Sequence, residues 1–112
     1  MSDPRSEILK GTLDLLILRS LARAPRHGYG IARWLEETSQ GLLQVEQGSL
    51  YPALYRMEDR GWISARWGLT DLKRRAKFYR LTARGRERLE AEEKGWNRMV
   101  RAIALILQPQ EA

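Results

Sequence analysis

The chain contains no cysteine and only one histidine, His27, among 112 residues. Disulfides, thiolate metal sites and cysteine nucleophiles are thereby excluded. A lone imidazole leaves almost no material for a zinc site or a nucleophilic triad. No catalytic residue, metal ligand or cofactor is therefore expected. No apolar run approaches the ~20 residues needed to span a bilayer. The first residues also lack the charged start, apolar stretch and small-residue cleavage site of a secretory signal. These absences predict a soluble, cytoplasmic protein. Hydrophobic residues at 43% and charged residues at 30% give a globular balance, and the length suits one domain. The net charge of +6 favours a polyanionic partner.

The most informative stretch is Glu46 to Trp62, EQGSLYPALYRMEDRGW. Leu50, Leu54 and Met57 recur at i, i+4 and i+7, one apolar stripe of a helix. Ser49 stands ahead of that stripe as the expected N-cap. Pro52 is expected in the first turn, where its missing N–H costs little, and Gly61 is the expected C-cap. The other face offers Gln47, Ser49, Tyr51, Tyr55 and Arg56. These are hydrogen-bonding and aromatic groups, not the Lys/Glu mixture of an ordinary solvated face. A capped amphipathic helix with a polar exterior would explain this stretch alone; its flanks favour a functional face.

Upstream, a helix is predicted from about Arg5 to Ala24. Its centre, Leu13 to Leu18, is apolar nearly all round and so requires burial on more than one side. The second cover is either another subunit or the C-terminal helix of the same chain. Arg23 to Gly30 reads as a turn, and a second helix is predicted from Tyr29 to Ser39 with Ile31, Trp34 and Leu35 inward. Its N-terminus would suit a phosphate, with Arg26, His27 and Tyr29 beside it; His27 itself reads as a surface turn residue. A polar turn follows, holding a small apolar cluster of Leu42, Leu43 and Val45. Two helices joined by a short glycine-containing turn form a helix-turn-helix.

After Gly61 the period changes to two. Ile63, Ala65 and Trp67 alternate with Ser64, Arg66 and Gly68, a half-buried strand. A second strand fits Ala76 to Leu81 with Tyr79 and Leu81 inward. The tip, Leu69 to Arg75, and the returning strand carry Lys73, Arg74, Arg75 and Lys77. Like charges so concentrated repel one another unless phosphates relieve them. Thr82 is the expected cap of a last helix reaching Leu107 or Gln108, nearly 40 Å at ~1.5 Å per residue. Leu89, Trp96, Val100, Ile103 and Leu107 form a heptad-like seam on it, widened by Met99, Ala102, Leu105 and Ile106. Much of that seam would project beyond the preceding domain, which implies a partner, most simply a second copy. The expected fold class is mainly α (α+β): a winged helix-turn-helix over residues 1–81 with a C-terminal dimerisation helix over 82–112.

The wording of the chain resembles the PadR family of bacterial transcriptional regulators. The matching residues are Gly11-Thr12-Leu13, His27-Gly28-Tyr29-Gly30, Gly48-Ser49-Leu50-Tyr51-Pro52-Ala53-Leu54 with Arg60-Gly61, and Tyr79-Arg80-Leu81-Thr82 with Gly85. The match spans roughly residues 8 to 107 and resembles the small members with a single C-terminal helix. The resemblance implies a homodimeric, ligand-responsive repressor on a palindromic operator in double-stranded DNA. Gln47, Ser49, Tyr55 and Arg56 are then the candidate base readers, since arginine can take guanine and glutamine adenine. Tyr29, Tyr51, Lys73, Arg74, Arg75 and Lys77 are the candidate backbone contacts, though Tyr51 also suits simple packing. Leu15, Leu18, Leu89, Trp96, Val100, Ile103 and Leu107 are the candidate dimer interface. Some family members bind flat aromatic compounds between subunits. Trp96 is the candidate to stack such an inducer or, alternatively, to fill the dimer core, and the four tryptophans suffice to build a core without a ligand site.

Three rival readings differ in class. An enzyme lacks any nucleophile–base constellation here. A winged-helix protein-interaction module would have an acidic or apolar wing and reading face. A nonspecific architectural DNA binder differs only in its specificity ratio.

Overall fold

Four helices and three strands follow one another in the computed structural model, which describes residues 4–109. They are α1 (Pro4–Ser20), β1 (Arg26–His27), α2 (Gly28–Thr38), α3 (Gln47–Asp59), β2 (Ile63–Leu69), β3 (Arg75–Leu81) and α4 (Ala83–Leu107). The first helix stops four residues before the expected Ala24. There the Ser20 hydroxyl donates to the Ile17 carbonyl at 2.6 Å. The next two amides then make tight three-residue turns, Leu21 to Leu18 and Ala22 to Arg19. Arg26 Nε donates to the Ser20 carbonyl at 2.7 Å, so a cation completes the helix end.

β1 was not expected. Its two residues read as part of a turn, yet they pair antiparallel with β3, Arg26 opposite Tyr79 and His27 opposite Phe78. The sheet is therefore three-stranded, in the order β1-β3-β2. His27 then caps α2: its Nδ1 accepts the Gly30 amide at 3.1 Å. The ring nitrogen does the work of an N-cap oxygen, so His27 is a structural residue of the helix start rather than an idle turn residue. Ile31 and Leu35 are buried and Trp34 half-buried, as the pattern indicated. The expected cluster before α3 does not form, because Leu42 is exposed while Val45 packs on the core.

α3 begins three residues earlier than a Ser49 cap would allow. Glu46 occupies the N-cap without a side-chain bond. Ser49 is the third helical residue, and Pro52 lies a full turn further inside than expected. Its missing N–H removes the bond that the Gly48 carbonyl would accept. The other end matches the expectation: Gly61 adopts φ +78°, Trp62 N–H donates to the Met57 carbonyl and Gly61 N–H to Glu58. This reciprocal pair satisfies the last carbonyls of α3.

The core gathers Leu13, Ile17, Leu18 and Leu21 with Ile31 and Leu35, Leu50, Leu54 and Met57, Ile63, Tyr79 and Leu81, and Leu89. α1 packs against α2, α3 and α4 at once, which is why its sequence is apolar all round. The second cover of α1 is thus the chain's own C-terminal helix. Leu18 is wholly buried and Leu89 nearly so within this core, and both leave the candidate dimer seam for that reason. The core is also aliphatic rather than tryptophan-built: Trp34 and Trp62 are half-buried, Trp67 and Trp96 exposed.

β2 and β3 pair antiparallel from Ile63 opposite Leu81 to Leu69 opposite Arg75. Tyr79 and Leu81 face inward as expected. Trp67 stays exposed, because β2 has left the core by that point. Thr82 caps α4 by accepting the Gly85 amide at 3.0 Å. α4 runs beyond the domain, and the molecule extends 62 × 32 × 24 Å.

Candidate nucleic-acid interface

α3 turns Leu50, Ala53, Leu54 and Met57 into the core, so its opposite side must face solvent. Gln47, Gly48, Ser49, Tyr51, Pro52, Tyr55 and Arg56 are all exposed. Tyr55 stands out further than Tyr51, at 77% exposure. Gly48 and Pro52 lie on the same outward side, although Pro52 reads from the sequence as a structural residue of the first turn. A Cβ at Gly48 would meet nothing within 4 Å, so the backbone here is open to close approach.

Tyr51 leans toward α2. A Cβ at Gly28 would lie 2.7 Å from the Tyr51 hydroxyl, so glycine is what admits the phenol. The ring is still 46% exposed, so packing and an outward hydroxyl coexist. Tyr29 stacks parallel to the capping His27 ring at 6.3 Å between centroids. Both tyrosines line an open groove of about 1010 Å³ between the start of α2 and the hairpin. Arg26, Arg33, Arg74, Arg75 and Lys77 also line it, against Glu37 and Asp71. The groove is therefore cationic and aromatic. Arg33 pairs with Glu37 at 2.7 Å, and that hydrogen bond raises the guanidinium pKa.

Two candidate contacts are already engaged. Arg56 Nη2 donates to Asp14 Oδ1 on α1, which ties one of its N–H groups to the domain. Lys77 Nζ donates to Glu58 Oε1 at 3.5 Å and joins β3 to α3. Arg75 stacks over Trp67 at 4.8 Å from the ring centroid. Lys73 and Arg74 at the tip make no ion pair among the described residues. Tyr79, behind the groove, has its pKa raised chiefly by burial, with Lys77 opposing.

The far end of α4 carries the second feature. Trp96, Val100 and Ile103 are each 45% exposed, and Leu107 is more so. Met99, Leu105 and Ile106 are exposed beside them. Leu15 on α1 is half-buried against the core. Among the described residues there is no cluster of three metal-ligating side chains. Nor is any helix among them long and apolar enough to cross a membrane.

An uncharacterised protein of Lysinibacillus sphaericus is 30% identical over 104 residues, covering 93% of this chain and 95% of that one. The crystal structure of a PadR-like transcriptional regulator from Bacillus cereus superposes with a TM-score of 0.80 at 28% identity, covering 93% of this chain and 99% of that one. A transcriptional regulator from Clostridium thermocellum shares the fold with a TM-score of 0.82 at 24% identity, over 91% of this chain and 99% of that one. The model of the transcriptional regulator PadR-like family matches residues 17–91, which takes in the helix-turn-helix, the hairpin wing and the start of α4. The winged helix-turn-helix with one long C-terminal helix is thus a regulator's fold, and the chain belongs to the PadR-like family of transcriptional regulators.

Proposed function

We propose that the protein is a homodimeric, sequence-specific regulator that represses transcription from a palindromic operator. The observation that carries this reading is the placement of a polar, aromatic α3 face beside a cationic groove and a wing tip with unpaired cations. α3 enters the major groove, where Gln47, Ser49 and Tyr55 face the base edges, and Arg56 contributes the N–H groups that Asp14 leaves free. Tyr29, Tyr51, Lys73, Arg74, Arg75 and Lys77 follow the phosphates. Lys77 does so while shared with Glu58, and Arg75 from its stack on Trp67.

Residues 1–81 act as the DNA-binding unit and 82–112 as the dimerisation helix. The exposed apolar run on α4, with Trp96, Val100, Ile103 and Leu107, supports a two-fold pairing, which the half-buried Leu15 of α1 would join. Two recognition helices would then reach successive major grooves ~34 Å apart. Repression follows from occupying the operator. A flat aromatic inducer stacking on Trp96 would release it by changing the pairing of α4. The protein acts in the cytoplasm, on the nucleoid.

The test is selection of bound fragments from the source genome at near-physiological salt, followed by footprinting. A discrete site with inverted halves about one helical turn apart is the expected outcome. Binding with no preferred site, vanishing steeply as salt rises, would replace this reading with an architectural one.

A further inference from the structure

The wing tip combines two properties that a solvated loop has no reason to combine. The turn is tightly closed: Lys73 N–H donates to the Thr70 carbonyl at 2.8 Å, and Thr70 N–H donates to Arg74 at 2.9 Å. Arg74 N–H donates to the Thr70 hydroxyl at 3.2 Å, and Lys73 accepts a left-handed backbone with φ +58° to complete the loop. Leu72 stands on this stiff turn at 79% exposure, the most exposed large hydrophobic side chain among the described residues. Lys73, Arg74 and Arg75 follow it directly, three cations against the single carboxylate of Asp71.

We propose that Leu72 is an apolar wedge that enters the minor groove of bound DNA and partly unstacks a base step. This rests on the DNA-binding reading above. With α3 in a major groove, the wing beside it lies over the neighbouring minor groove. The cations after Leu72 bracket the two phosphate chains that border that groove. The leucine between them meets the stacked bases, where an apolar side chain finds apolar surface. Wedges of this kind partly unstack a step and bend the duplex toward the major groove. The favoured step is a flexible pyrimidine–purine step, which opens at least cost. Leu72 would then add specificity at a position where no hydrogen bond reads a base.

The experiment uses the full chain and a duplex recovered from the fragment selection, with single 2-aminopurine substitutions along the flank of the footprint. The expected result is a fluorescence rise at one step on the wing side. Leu72→Ala should abolish the rise while the salt dependence of binding stays unchanged, and Leu72→Met should retain it. The side chain is exposed, so neither variant disturbs the core. Wild-type protein bound to this duplex with no rise at any position would overturn the wedge and leave the regulator reading standing. An equal rise with Leu72→Ala would overturn it as well. Failure to recover any preferred duplex would overturn the underlying reading and the wedge with it.

Discussion

Gly85→Ala should be among the most damaging single-methyl additions in the protein. Gly85 sits buried in the first turn of α4, and an added Cβ would lie 1.9 Å from the Trp62 carbonyl oxygen. Ordinary contact begins near 3.4 Å, so the backbone must yield by about 1.5 Å. No rotamer can relieve this, because a Cβ is fixed by its own backbone and the oxygen it meets is main chain. The displaced turn carries the Gly85 amide away from Thr82 Oγ1 and strains the Thr82 N–H bond to that same Trp62 carbonyl, 3.1 Å long. Overpacking costs ~1–3 kcal/mol and loss of the cap about 1 more, so a destabilisation of ~2–4 kcal/mol is expected. For a domain of this size that lowers the melting temperature by about 10 °C or more. The assay is urea unfolding followed by tryptophan fluorescence, with all variants at one protomer concentration. Gly95→Ala is the internal control: nothing lies within 4 Å of its Cβ position. The same substitution there should be neutral or stabilise the helix by up to ~1 kcal/mol. An unfolding midpoint for Gly85→Ala at or above that of the wild type would refute the steric argument.

The triple change Lys73→Ala, Arg74→Ala, Arg75→Ala should weaken binding to all sequences and flatten the log–log salt slope by ~2–3; a loss confined to one sequence would contradict phosphate contact. Val100→Glu, on the exposed end of α4, should yield monomers by light scattering with an unchanged helical spectrum, and a dimeric mass would remove that seam. Asp14→Ala frees Arg56 and should erode part of the ~1–3 kcal/mol discrimination that a bidentate arginine–guanine pair supplies; an unchanged base preference in a selection would show that Asp14 does not position Arg56. Burial raises the Tyr79 pKa above its ordinary value of ~10, so its contribution to stability is complete below that value and is lost as pH rises through the folded pKa. Ultraviolet titration, with Tyr79→Phe to assign the signal, should place the Tyr79 transition above that ordinary value, and a Tyr79 transition at or below it would contradict this.

The exposed face and the core of α3 were legible because Leu50, Leu54 and Met57 repeat at helical spacing and every one of them is fully buried. Thr82 and Gly61 were legible because capping is local chemistry. β1 was not, since two residues carry no period and their pairing exists only against β3. Trp67 continued an alternation that the core no longer answered. The start of α3 was misplaced because a serine near a helix start suggests a cap even where the backbone begins earlier at Glu46. The Asp14–Arg56 pair spans 42 positions, and no local pattern could have announced it. At the site, residue types were readable, whereas their engagement with Asp14, Glu58 and Trp67 required the fold.

The overhang of α4 has a mechanical consequence. Its 25 residues form a lever roughly 38 Å long, fixed to the winged domain at the short end. If two copies are pinned together at the long end, a rotation of about 10° at the pin swings each winged domain by several ångströms. That exceeds the ~3.4 Å rise of one base pair. A ligand wedged between such pinned ends would need no contact with DNA to put the two copies of α3 out of phase with the double helix.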